Sequence, residues 1–465
     1  MTPLITLLVD TMTVILVFFL AFHSLDAILL MLAIPELWSD WRVANTEYVR
    51  TLVGNEAMLP VSVVTALHNR AHDARSIVSM LLALDYPRCE VVIVNDGSTD
   101  ATMDALIRAF DLYRVPPAFT VSTQTSEVRA YYRSRTNTRL LCIDKDHGGI
   151  ADALNAGINA ARYPYTLVVN SDVVLEPDAL LWISRPIVLH RDVAVVSPSI
   201  SVGNGGRMVG DRFVPVAPRS VLFGIHTVEY IRAFVFERLG WNRVASNLVY
   251  PASAALFKRD HLQAVHGFST TSEAPGIDLA VRLYRHLTDE GMNPRFVVIP
   301  DAVAWRTLPE RRDDQAALRV QRQRGTLRTL WEHRGMIGNP EYGMMGVLVL
   351  PVVALRYLVA PFLELGGLIG LIIGSMAGVL RPGFVWAYLA TVVVYPMLLS
   401  VWTVMLEALT FRRYSRRADL GRLAAYAMLE SLGYRQLLAW VRVRALFANR
   451  SLRRPYGQHA LTKIA

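Results

Sequence analysis

The chain has 465 residues, 53% of them hydrophobic and 19% charged, with a net charge of +9. That length exceeds one ordinary domain, and the apolar share points to a membrane-embedded portion. The basic residues flank apolar spans without any nucleic-acid-binding motif, which argues against nucleic acid as a partner; the two cysteines, Cys89 and Cys142, lack metal-ligand spacing and read as thiols of a reducing compartment.

In chain order, Leu4 to Ile34 form a near-continuous apolar run, interrupted by Asp10, His23 and Asp26. It is long enough to cross a ~30 Å hydrocarbon core. With no basic segment before it and no small-residue cleavage site after it, it reads as a retained anchor over residues 1–38 rather than a signal peptide. Residues 39–310 have the mixed composition of a soluble domain, 311–343 form an amphipathic interface region, 344–410 hold transmembrane helices, and 411–465 form a basic cytoplasmic or interfacial end. Pro351, Arg356, Pro361 and Glu364 break the first of the two C-terminal apolar segments, so part of it is expected along the interface. Three spans result, with Leu420 to Val443 as a fourth or as a surface-lying helix. Arginines after the first and last spans place the domain and the C-terminus in the cytoplasm of a bacterial-type plasma membrane.

Within the domain, strand-like and helix-like segments alternate: strand 61–67, helix 76–84, strand 90–94, helix 101–113, a β-rich insertion over 118–142, helix 150–162, strand 165–170, a helix from Pro177 and strand 192–198. The alternation predicts an α/β fold, a mostly parallel sheet with helices on both faces whose ligands bind beyond the carboxyl ends of the strands. Two such ends are acidic. Asp96 closes a strand in "IVNDGSTD", before a glycine turn in which Asp100 suits a helix cap, and Asp172 follows another in "VVNSDVVLEPDAL". Neither common Gly-rich phosphate loop is present, so a bound nucleotide would depend on carboxylates and a divalent metal.

The ordered set "PVSVVTALHNRA", "LDYPRCEVVIVNDGSTD", "KDHGGIADALNAGI", "VVNSDVVLEPDAL" and "GYRQL" resembles the membrane-bound family 2 glycosyltransferases, relatives of the synthases of cellulose, hyaluronan and poly-N-acetylglucosamine. The resemblance implies a GT-A-like fold flanked by transmembrane helices. It also implies inverting transfer from a nucleotide-sugar, usually a UDP-sugar, to a polysaccharide or lipid-linked acceptor, with Mg or Mn as the divalent cation. On that pattern Asp96 lies by the nucleoside base, Asp152 and Asn155 line the donor pocket, and Asp172 holds the metal.

The departures from the pattern are specific. Ile150 stands where the family carries a lysine, leaving Lys145 as a substitute cation, and Asn170 replaces an aspartate as a neutral ligand. The acidic pair that should supply the base for the acceptor hydroxyl falls on Pro275-Gly276, with Glu273 and Asp278 flanking it. In the family's membrane-surface motif an arginine meets the diphosphate and a tryptophan stacks on the acceptor sugar. Here that motif falls either on Leu318 to Arg322 or on Gln321, Arg322 and Arg324, which would then bind the nucleotide-sugar, with Gly325 in place of the tryptophan. Seven arginines between Arg311 and Arg334 also suit an amphipathic helix on anionic membrane lipids. Two functions follow: an active membrane glycosyltransferase, or a pseudo-glycosyltransferase that binds nucleotide and scaffolds partner subunits.

Overall fold

A computed structural model describes residues 2–43, 58–119, 121–209, 212–233, 238–244, 248, 253–309, 311–414 and 416–447. Residues 44–57, at the start of the expected soluble domain, and 448–465, in the basic C-terminal region, lie outside the described residues.

Helix α1 (Thr2–Val43) opens the chain. Strand β1 (Val61–Leu67), helix α2 (Ala74–Leu82), strand β2 (Cys89–Asp96) and helix α3 (Thr102–Phe110) then follow the expected alternation. The β-rich segment comprises β3 (Leu112–Val115), β4 (Val128–Ser134) and β5 (Leu140–Lys145). Next come α4 (Ile150–Ala160), β6 (Tyr165–Val169), β7 (Val173–Leu175), α5 (Ala179–Leu189) and β8 (Val193–Val202), and then a hairpin of β9 (Arg207–Val209) and β10 (Arg212–Val214). The domain is completed by α6 (Val221–Arg232), α7 (Gly240–Val244), β11 (Ala254–Lys258), α8 (Arg259–Ala264), α9 (Pro275–Asp289), β12 (Arg295–Arg306) and α10 (Arg312–Glu332).

The main sheet has the order β3-β4-β5-β2-β1-β6-β11-β8-β12-β7. Its centre, β5-β2-β1-β6, is parallel, while β11 pairs antiparallel with both β6 and β8. Strands β1 and β2 are buried along their whole length, as parallel strands covered on both faces must be, and they therefore read as unbroken apolar runs. Helix α4 lies close on β1 because Gly157 offers no Cβ to meet Val64. The same core continues into Leu29, Leu30, Ala33 and Leu37 of α1, so this helix packs on the domain.

Among the described residues, three helices are long and apolar enough to cross a membrane: Pro3–Leu37 within α1, α11 (Met345–Met376) and α12 (Pro382–Thr410). The expected break in the first C-terminal segment is absent. Pro351, Pro361 and Pro396 are each preceded by a five-residue π turn, which absorbs the missing N–H and the ring clash and lets the helix continue. Helices α13 (Arg417–Leu429) and α14 (Arg435–Phe447) meet at a kink where Gly433 adopts φ +100°.

Candidate active site

Because β1, β2 and β6 are parallel, Asp96 and Asp172 leave the same edge of the sheet. Leu67 pairs with Asn95, and Val64 with Val168. Asp96 ends β2, and Asp172 lies in the turn that follows β6, on the other side of β1.

Asp96 is buried and its carboxylate is fully engaged. Oδ1 accepts from the Lys145 ammonium and the Gly148 amide, both at 2.9 Å, while Oδ2 accepts from the Gly149 amide at 2.9 Å and faces His147 Nδ1 at 2.9 Å. Burial acts to raise its pKa, but the Gly148 amide and the Lys145 charge outweigh burial and hold it below the usual carboxylate value. Lys145 has no exposed surface; its Nζ also lies 2.5 Å from Asp152 Oδ2, and Asp152 in turn accepts from Ser126 N. The lysine expected to face a diphosphate is thus enclosed between two carboxylates. Asp96 holds the 147–149 loop, and the surface that loop presents is the half-exposed His147 imidazole, stacked on His68 with ring centroids 4.4 Å apart.

Asn155, one helical turn after Asp152, does not join this group. Its amide donates to Phe268 O at 2.9 Å and its Oδ1 accepts from Phe268 N at 2.8 Å, which fixes the turn at Gly267, where φ is +65°. Asp100, expected as a cap, accepts from Thr102 N at 3.0 Å at the start of α3.

Asp172 is anchored differently. Its backbone carbonyl accepts from Thr307 N at 3.0 Å, and its Oδ2 meets Arg306 Nε at 2.9 Å. Its Oδ1 is buried without a hydrogen-bond partner, and so is the Thr307 hydroxyl. Asn170 is held by its backbone N–H on Ser253 O at 2.9 Å. Strand β7 runs antiparallel to the end of β12, and the Trp305 indole donates to Glu176 at 2.9 Å, so the arginine-bearing strand end is fixed against Asp172.

The two base candidates sit in different surroundings. Asp278 is buried and bound by Arg282 through Nε at 2.9 Å and Nη2 at 2.8 Å, and the same guanidinium donates to Val265 O and Gly267 O. Glu273 is about one-fifth exposed and lies 3.4 Å from Arg324 Nε of α10. Gly325 follows; a Cβ there would stand 2.5 Å from Ala274 N, so the segment carrying Glu273 seats directly on the glycine. On the same helix Gln321 is half-buried and Arg322 exposed. The structure therefore gathers Asp96, Lys145 and Asp152 in one cluster, Glu273 and Arg324 in another, and adds Arg306 to Asp172.

Residues 62–118 match the family model described as Glycosyl transferase family 2. The poly-beta-1,6-N-acetyl-D-glucosamine synthase of Staphylococcus epidermidis is 24% identical over 251 residues, 54% of this chain and 50% of that protein. That of Staphylococcus aureus strain COL is 22% identical over 253 residues, with the same shares. The chain thus carries a family 2 glycosyltransferase segment and is similar to these synthases over about half its length. It spans about half the length of the curated relatives it matches. The mannosyltransferase PcManGT from Pyrobaculum calidifontis, solved with GDP-Man and Mn2+, superposes with a TM-score of 0.50 at 17% identity over 88% of this chain and 99% of that one, which supports the GT-A fold.

For a divalent cation, the chain offers the unpartnered Asp172 Oδ1, an oxygen donor of the kind that Mg2+ and Mn2+ take. His68, Asp96 and His147 also bring ligand atoms within 4.8 Å of one another. Hydrogen bonds account for that spacing: His68 Nδ1 lies 2.7 Å from the Asp96 carbonyl, and His147 Nδ1 lies against its carboxylate. Sequence reasoning missed Arg306, Thr307 and the two histidines. Arg306 comes within reach of Asp172 only through the pairing of β7 with β12, across 134 positions, and no local pattern signals it.

Proposed function

We propose that this chain transfers a sugar from a nucleotide-sugar, a UDP-sugar in the reading that the motifs imply, to a polysaccharide or lipid-linked acceptor, with inversion, at the cytoplasmic face of the plasma membrane. The observation that carries the reading is the placement of Asp96 and Asp172 beyond the carboxyl ends of the parallel strands β2 and β6, the edge at which such sheets bind ligands. The nucleoside lies on the 147–149 loop that Asp96 holds, and the diphosphate lies at Asp172. A divalent cation on Asp172 Oδ1 would supply positive charge to the leaving diphosphate.

Glu273 takes the proton of the acceptor hydroxyl. Its partial exposure and its contact with Arg324 at 3.4 Å support this, since the guanidinium meets the carboxylate without enclosing it. Asp278 is closed in by Arg282 and serves the Gly267 turn. Arg324 with Gln321 and Arg322 then line the acceptor side of α10, and the exposed Arg311, Arg322, Arg328 and Arg334 suit an anionic leaflet.

The test is UDP release from UDP-sugars by the full-length protein in detergent with Mn2+ or Mg2+. Glu273→Gln should lower the rate about 10²–10⁴-fold, the usual worth of a general base, with nucleotide affinity unchanged. Release at an unaltered rate would overturn the assignment of the base. Nucleotide binding with no release from the unaltered protein would favour the second reading, a nucleotide-binding scaffold for partner subunits, which Pro275-Gly276 at the head of α9 supports.

A further inference from the structure

We propose that the groove between α11 and α14 binds the phosphate of an anionic phospholipid from the leaflet on the domain side, with Arg435 as the group that meets it. The proposal does not depend on the donor-site reading above. Arg435 is half-buried at the head of α14, yet among the described residues it makes no hydrogen bond or ion pair. Burial, and then the Arg232 charge, hold its pKa below the usual arginine value, with Glu430, Glu364 and Asp26 opposing. Two of those carboxylates are already matched, Glu430 by Arg232 at 2.5 Å and Asp26 by Arg356 at 2.7 Å. Glu364 of α11 acts on both Arg435 and Arg442 and forms an ion pair with neither. Arg435 and Arg442 against Glu364 leave one positive charge, which the single negative charge of a phosphodiester cancels.

Packing fixes the depth of this groove. On α1, Asp26 falls between Phe19, which packs with Leu371 and Tyr388 of the spans, and Leu29, which belongs to the domain core. On α11, Tyr357 and Glu364 likewise fall between Val352 of the domain core and Leu371. That junction is the level of the lipid headgroups. Helix α14 exposes Leu437, Trp440 and Phe447 on one face, where tryptophan suits the membrane interface. Arg435 and Arg442, seven residues apart, share the opposite face with the buried Ala439, and the Arg442 guanidinium stands 5.9 Å over the Tyr357 ring of α11. Basic pockets between helices at this depth take lipid headgroups, and the planar fork of a guanidinium matches phosphate oxygens. Helix α10 turns Gln323 to Tyr357 O at 2.6 Å and Arg324 to Glu273. The groove therefore lies behind the acceptor side, and its ligand is a lipid of the bilayer rather than the sugar acceptor.

The experiment is native mass spectrometry of the delipidated full-length protein in detergent, titrated separately with phosphatidylglycerol, phosphatidylcholine and a polyprenyl phosphate. One phosphatidylglycerol should bind saturably, about tenfold or more tighter than phosphatidylcholine, whose headgroup cancels its own charge. Arg435→Gln should weaken that binding about 10- to 100-fold, the worth of hydrogen bonds to a charged group, and Arg435→Lys should recover part of the loss. Arg444→Gln, on the exposed face of the same helix, should change it by less than about threefold, as expected of a solvated charge. Should Arg435→Gln yield no folded protein, Arg442→Gln is read in its place and should show a smaller loss in the same direction. Equal losses from Arg435→Gln and Arg444→Gln would reduce the effect to general surface charge and overturn the proposal. So would equal binding of phosphatidylglycerol and phosphatidylcholine, or tighter binding of the polyprenyl phosphate, which would make the groove an acceptor site.

Discussion

Around Asp96 each carboxylate oxygen has its donors: Lys145 and Gly148 on one, Gly149 and His147 on the other, with Asp152 closing the ammonium from behind. Around Asp172, at the same edge of the sheet, one oxygen has an arginine and the other has nothing, the Thr307 hydroxyl is likewise unpartnered, and Glu273 meets Arg324 at 3.4 Å. The first group is built as a support, and the second keeps capacity for a ligand. Buried polar groups are normally satisfied, so the unsatisfied ones mark where something else is to bind. It follows that substitutions on the saturated side should lower stability, whereas those on the open side should alter binding and turnover.

The sharpest separation comes from Lys145→Met. It leaves the Asp96 and Asp152 carboxylates buried beside each other without their shared cation, and breaking such a group by removing one partner destabilises by about 3–5 kcal/mol. Unfolding of the purified protein in detergent should show that loss; a variant as stable as the parent would mean that the saturated side does not support the fold.

Asn155→Ala is expected to remove about 2 kcal/mol, since Phe268 N and O both lose their partner in a buried turn. A loss of nucleotide affinity at unaltered stability would instead return Asn155 to the donor pocket. A comparable effect, about 1–3 kcal/mol, is expected of Gly325→Trp, because the new side chain must displace Ala274. The displacement also moves Glu273, so UDP release should fall more than stability does. If the variant instead gains activity, the missing tryptophan alone sets the acceptor site.

These contrasts show which parts of the molecule were legible in the sequence. The parallel centre was, because β1, β2 and β6 are covered on both faces and their polar ends stand out against apolar runs. The three spans were, because hydrocarbon thickness sets their length. Strands β11 and β12 were not, since they join the sheet from distant segments and carry no alternation of their own. The motif residues could be placed in sequence, but their engagement could not: nothing in "DKDHGGIAD" says that Lys145 turns inward to two aspartates, or that Arg306 lies on Asp172. Partners separated by dozens of residues are chosen by strand order, which one sequence does not display.

The smallest expected effect belongs to a group between the two extremes. His226 on α6 is buried, with Nε2 bonded to Tyr434 OH at 2.6 Å and Nδ1 unpartnered. It lies beside the pair in which Arg319 grips both oxygens of Glu229, at 3.1 and 2.6 Å. Burial, and then the Arg319 charge, push its pKa from 6.5 down to about 4, with Glu229 opposing. Between those two values the unfolded chain binds a proton that the folded chain does not, so stability rises with pH across that window. The contribution is therefore fully present above pH 6.5 and is lost as the pH falls toward 4. From pH 7 to 5.5 the loss should be about 1 kcal/mol, the integral of that proton difference, and it should be missing from His226→Gln, whose amide has no proton to gain. Equal pH slopes in the two proteins would mean that His226 is solvated in the native state, and that the α6–α10 contact opens more readily than its bidentate ion pair implies.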